Sequence, residues 1–128
     1  MSDRTADPSI ELVSIRWERV QVIVEARCPP GATIDPDSLV LRLADRGTRF
    51  PPTHATMSDA RLTLRYNVMN GPGLDPLEPG RWTLTARLSI APGAIDPRTS
   101  TGAFQLTDRL FTVSPIVDTH AGTLSFVV

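Results

Sequence analysis

A chain of 128 residues with 41% apolar side chains is one domain long and has enough apolar surface to bury a core without disulfides or metal. Its net charge of −1 supplies no electrostatic grip on nucleic acid or anionic lipid, and its one cysteine, Cys28, excludes an internal disulfide. No apolar run approaches the roughly 20 residues needed to cross a bilayer as a helix.

Met1 to Pro8 is small and polar and closes with Asp7-Pro8, so 1–8 reads as a flexible N-terminal tail and 9–128 as the folded domain. Ile10 to Trp17 is the first predicted strand, with Val13, Ile15 and Trp17 on one face. The second sets Val20, Val22, Val24 and Ala26 against Gln21, Glu25 and Arg27. A hairpin with an even loop makes Trp17 face Val20, Ile15 face Val22 and Val13 face Val24, with all six side chains on one side. Neither Glu18 nor Arg19 favours positive φ, so a four-residue connection of the same parity is expected.

Cys28-Pro29-Pro30-Gly31 ends that strand, and Asp35-Pro36-Asp37 prepares the next. There Leu39, Leu41 and Leu43 point inward and Arg42 outward. Asp45-Arg46-Gly47 is a turn, and Thr48 to Pro51 a short return strand. Pro51-Pro52 removes two backbone donors, which assigns that piece to a sheet edge. Met57-Ser58-Asp59 leads into a strand with Leu62, Leu64, Tyr66 and Val68 opposing Arg61, Thr63, Arg65 and Asn67. Asn70-Gly71-Pro72-Gly73 and the run to Pro79-Gly80 form a rigid loop.

The longest alternation follows: Trp82, Leu84, Ala86 and Leu88 on one face, Arg81, Thr83, Thr85, Arg87 and Ser89 on the other. Ala91 to Pro97 breaks it. Weaker strands are expected near Ala103–Leu106 and Arg109–Val113, and a last one with Leu124, Phe126 and Val128 on one side. That strand stops in mid-pattern, as in a piece cut from a longer polypeptide. No stretch combines helical apolar spacing with caps at both ends. The predicted fold is all-β, an antiparallel two-sheet immunoglobulin-like sandwich of about seven to nine strands. The cysteine-paired antibody variant is excluded.

The residues offer little chemistry. His54 and His120 are far apart in sequence and have no partners at zinc-ligand spacing, so no metal site is assigned. Asp7, Asp35, Asp75 and Asp96 each precede a proline and read as turn formers rather than as a glycosidase pair or a calcium loop. Cys28 beside Pro29 reads as a small buried apolar group, since nothing nearby would make it a nucleophile. No Gly-x-Ser-x-Gly, Gly-x-Gly-x-x-Gly or Walker-type segment occurs, and no cofactor is assigned. Arg61, Arg65, Arg81 and Arg87 lie on wetted strand faces. If their strands are neighbours they form a weak polyanion-contact face; otherwise they are a solvated face laced with cross-strand ion pairs. Of the seven aromatics, Trp82, Tyr66, Phe126 and Trp17 fall on inward faces, which leaves few for a sugar-stacking platform.

Three segments carry a resemblance: Ile15-Arg16-Trp17-Glu18 before Val20-Gln21-Val22, Leu77-Glu78-Pro79-Gly80-Arg81-Trp82-Thr83-Leu84, and Ala121-Gly122-Thr123-Leu124-Ser125-Phe126-Val127. Together they resemble β-sandwich accessory domains of actinobacterial glycosyltransferases and teichoic-acid-type glycerophosphotransferases. Thr123 stands where the last motif has asparagine. The catalytic residues of such enzymes lie in a separate domain, so none is carried over. The resemblance implies a non-catalytic accessory module of a cell-envelope transferase, which positions the enzyme or contacts polymer or partner. Its implied partner is a catalytic domain of the same polypeptide or another protein, not nucleic acid. Its implied place is cytoplasmic, with the inner membrane face reached through a parent protein. The runner-up is a free-standing protein–protein interaction module. A small hydrolase or a carbohydrate-binding domain comes third.

Overall fold

The computed structural model describes residues 10–29, 39–70, 76–91, 93, 95–96, 100–106 and 110–128. The tail over 1–8, the Asp35-Pro36-Asp37 turn and Gly71-Pro72-Gly73 lie outside the described residues. Ten strands are described: β1 (Glu11–Glu18), β2 (Gln21–Arg27), β3 (Leu41–Leu43), β4 (Arg49–Phe50), β5 (His54–Ser58), β6 (Arg61–Asn67), β7 (Arg81–Leu84), β8 (Gly102–Gln105), β9 (Leu110–Asp118) and β10 (Thr123–Val127). They make two antiparallel sheets, β1-β2-β6-β5 and β4-β3-β7-β10-β9-β8. Up to β7 this is the immunoglobulin order, A-B-E-D on one sheet and C′-C-F on the other. Beyond β7 the larger sheet carries three strands where that fold has one.

The period of two sets which side chains meet between the sheets. Leu12, Ile15, Val22, Val24, Ala26, Leu62, Leu64 and Tyr66 from the smaller sheet are buried against Leu41, Leu43, Trp82, Leu84, Leu124 and Phe126 from the larger. Phe50 stands edge-on to both Tyr66 and Trp82, at centroid distances of 5.7 and 6.2 Å. The Tyr66 hydroxyl donates to the Leu39 carbonyl, tying β6 to the approach of β3 across the core. Burial pushes the Tyr66 pKa up, so this hydroxyl stays a donor.

Several local expectations need correction. The β1–β2 loop has two residues, Arg19-Val20, not four, because Glu18 pairs with Gln21 and Trp17 with Val22. Arg19 takes a left-handed φ of 57°, and the turn is pinned by the Val68 N–H donating to the Val20 carbonyl at 3.1 Å. A register shift between Leu12 and Ser14 displaces Val13, so Leu12 rather than Val13 joins Ile15 in the core. Met57 and Ser58, read as part of a lead-in, belong to an edge strand, His54–Ser58, paired with β6. The return strand expected over Thr48 to Pro51 is Arg49–Phe50, and it does lie at the edge of the larger sheet, just before Pro51-Pro52.

The long alternation from Trp82 is divided between sheets. Its ladder with β3 ends at Leu84, although Ala86 and Leu88 remain buried. The Thr85 N–H and hydroxyl both donate to the Val40 carbonyl, and Ser89 then bridges β1 through Leu12 N–H to Ser89 carbonyl and Ser89 N–H to Ile10 carbonyl. On this flank Trp17 seals the gap. It is half-buried, its Nε1–H donates to the Ser100 carbonyl at 2.7 Å, and its ring lies against Gly102 and edge-on to Phe104. Within the described residues, no helix is long and apolar enough to cross a membrane.

Candidate functional site

With the apolar rows turned inward, chemistry is left to the two outer faces, and these differ. On the smaller sheet the outward positions are Glu11, Ser14, Arg16 and Glu18 of β1, Gln21, Glu25 and Arg27 of β2, and Arg61, Thr63 and Arg65 of β6. Antiparallel register sets each arginine beside a carboxylate. Arg65 reaches Glu18 at 3.1 Å, Arg27 reaches Glu11 at 3.6 Å, and Arg16 and Arg61 both reach Glu25 at 3.7 Å. Ser14 also donates to Glu25. These partly exposed pairs add little stability, but they set every arginine of the face against a carboxylate and offset most of its charge, Arg16 and Arg61 sharing Glu25. Ile23, fully buried, sits on this outer side between Arg16 and Arg65, whose aliphatic stems are placed to cover it.

The larger sheet presents a different surface. One outward row runs across five strands through direct register partners: Arg49, Arg42, Thr83, Ser125 and Ile116. The Thr83 and Ser125 hydroxyls are 2.9 Å apart and hydrogen-bonded. Beside this row Arg81, Asp118, Thr119, Thr123 and Ser125, with Ile116 and Val117, line an open groove of about 330 Å³. Among the described residues neither Arg42 nor Arg81 forms an ion pair. Asp118 is the groove's carboxylate. It closes the β9–β10 turn by accepting the backbone N–H groups of His120 and Ala121, each at 3.0 Å. The Ala121 N–H above all, helped by the N–H and charge of His120, holds its pKa below the ordinary range against a smaller desolvation effect.

The four arginines singled out from sequence are therefore separated. Arg61 and Arg65 lie on β6 in the smaller sheet and are ion-paired. Arg81 lies on β7 in the larger sheet, and Arg87 is exposed in the crossover that follows. β6 and β7 are not neighbours, so the continuous row that adjacency would have produced does not form. Arg42, Thr123, Ser125 and Asp118 were missed as site residues. The outward position of Arg42 was legible, but its pairing with Thr83 depends on a connection 41 residues long in sequence separation that periodicity does not encode.

Elsewhere, Cys28 is buried and burial pushes its thiol pKa up, away from nucleophilic use. His54 stands exposed on β5 and His120 exposed in the β9–β10 turn. Asp96 accepts the Ser100 N–H through its carbonyl at 3.0 Å; Asp7, Asp35 and Asp75 lie outside the described residues. Among the described residues no three His, Cys, Asp or Glu side chains converge as a metal set.

Neither a protein-family model nor a curated protein matches the chain.

Proposed function

We propose that this sandwich is a non-catalytic accessory module of a cell-envelope glycosyl- or glycerophosphotransferase, holding the enzyme to its polymer or to a partner. The observation that carries the reading is the unequal use of arginine on the two outer faces. One face spends its arginines on its own glutamates, whereas the other turns Arg42 and Arg81 outward beside hydroxyls, neither of them in an ion pair among the described residues. An extended polymer needs such a flat, open, weakly basic surface more than a deep pocket. The parent enzyme brings the module to the inner membrane face from the cytoplasm.

Excising the module from the transferase-bearing parent should leave transfer to a short soluble acceptor within about twofold while the product chains become shorter, because only effective concentration of polymer is lost. Saturable hydrolysis of a glycoside or phosphodiester by the isolated chain would instead make it an enzyme and end this reading.

A second reading, a free-standing interaction module, is favoured by β5. All five of its residues are exposed, none is Asp, Glu or Arg, and among the described residues it is an edge strand of its sheet. Such an edge accepts an added strand.

A further inference from the structure

The groove beside Arg81 combines four kinds of contact within one small surface. Arg81 supplies a planar cation without an ion-pair partner among the described residues. Asp118 supplies a carboxylate, one oxygen of which is spent on the turn. Thr119 and Thr123 supply hydroxyls, while Ser125 is buried and its hydroxyl is hydrogen-bonded to Thr83. Ile116, 41% exposed, supplies a bare apolar patch.

Each partner demands a matching feature in a ligand. A guanidinium selects a carboxylate or phosphate. A carboxylate flanked by hydroxyls selects a donor-rich group such as a diol, because it accepts from hydroxyls and repels bare anions. The apolar patch suits the C–H face of a ring. A volume of about 330 Å³ lies at the small end for ligand sites, room for one or two rings. Among the described residues no aromatic lines the groove, so binding rests on hydrogen bonds and charge.

We infer that this groove binds a single acidic sugar unit, one bearing a carboxylate or a phosphate, with the anion on Arg81 and the ring hydroxyls on Asp118 and the threonines. The inference rests on the polymer-contact reading and names the part of the polymer that is held. Asp118 gives the site its selectivity: ionised at neutral pH, it opposes inorganic phosphate while assisting a polyol. The neighbouring row through Thr83 to Arg42 provides a track for the next unit along a chain.

The test is an amide-shift titration of the whole chain with methyl glucuronide, glucose 1-phosphate, methyl glucoside and inorganic phosphate. The two acidic sugars should shift amides between 116 and 125 in saturable fashion, with dissociation constants on the order of 1 mM for so open a site. The neutral glycoside and phosphate should each bind at least about fivefold more weakly, since each lacks one of the two charged contacts. Whichever acidic sugar binds more tightly identifies the anion. Arg81→Gln should remove the preference for acidic over neutral sugars, while Arg61→Gln, on the opposite sheet, should leave it. The proposal is overturned if methyl glucoside or phosphate binds as well as the acidic sugars, if Arg81→Gln changes nothing, or if no ligand gives a saturable shift. An absent shift together with shortened products from the module-deleted parent would remove the groove but keep the accessory reading. Hydrolysis by the isolated chain would remove that reading whatever the titration shows.

Discussion

Replacing Trp82 with alanine should lower the unfolding free energy by about 3–5 kcal/mol, a large part of what a domain of this size possesses. The indole is 1% exposed and sits where four elements meet. It pairs in register with Leu43 on one side and Phe126 on the other, and it stands edge-on to Phe50. Its Nε1–H donates to the Glu78 carbonyl at 3.0 Å, which fixes the loop before β7. Truncation therefore leaves both a cavity and an unpaired carbonyl. Urea denaturation should show the midpoint falling at unchanged slope. A loss below about 1 kcal/mol would mean that the core collapses around the gap, contrary to the packing described.

Gly122→Ala should cost about 2–4 kcal/mol, far more than one methyl group normally does. Gly122 has φ of 70°, and a Cβ there would stand 2.6 Å from the Leu88 carbonyl oxygen. Backbone, unlike a flexible side chain, has no room to yield. The Leu88 N–H donates to the Gly122 carbonyl at 2.7 Å, so the intruding methyl would break the link between the crossover and the β9–β10 turn. Gly47 is the matched control. Its φ is 68°, yet nothing lies within 4 Å of its would-be Cβ. Gly47→Ala should cost only about 1 kcal/mol, the conformational part alone. Equal costs at both positions, measured by thermal or urea unfolding, would show that the contact at Leu88 contributes nothing.

What the sequence made legible was the inside of this fold. Alternation alone placed Leu62, Leu64, Tyr66, Trp82 and Phe126 in the core, and the proline and glycine punctuation gave a sandwich. What it hid depends on partners distant in sequence. β5 carries no alternation to read, since all five residues are exposed; it is a strand only because β6 offers it an edge. Ile23 breaks the outward polar row of β2 and is tolerated because arginine stems flank it. The alternation through Leu88 continues unbroken while the chain changes sheets, because burial persists across the crossover although the ladder does not.

The same reasoning explains the site. Arg61 and Arg81 look alike as outward residues of alternating strands, and only topology gives one a glutamate and the other a groove. Likewise the segments around Pro79-Gly80 and before Val127 do structural work. Leu77 and Trp82 are buried, Gly80 has φ of 142° with a would-be Cβ against Leu43, and Leu124 and Phe126 fill the core. Such segments report architecture more than chemistry.

The proposed division between an ion-paired face and a polymer-contact face is tested most directly by removing charge from each in turn. An end-labelled polyuronate oligomer would be titrated at low salt against Arg42→Gln/Arg81→Gln and against Arg61→Gln/Arg65→Gln. The first pair should weaken binding by about tenfold, and the second should change it by less than about twofold, because its arginines already face carboxylates. Equal losses from the two pairs, or a greater loss from the second, would contradict the account.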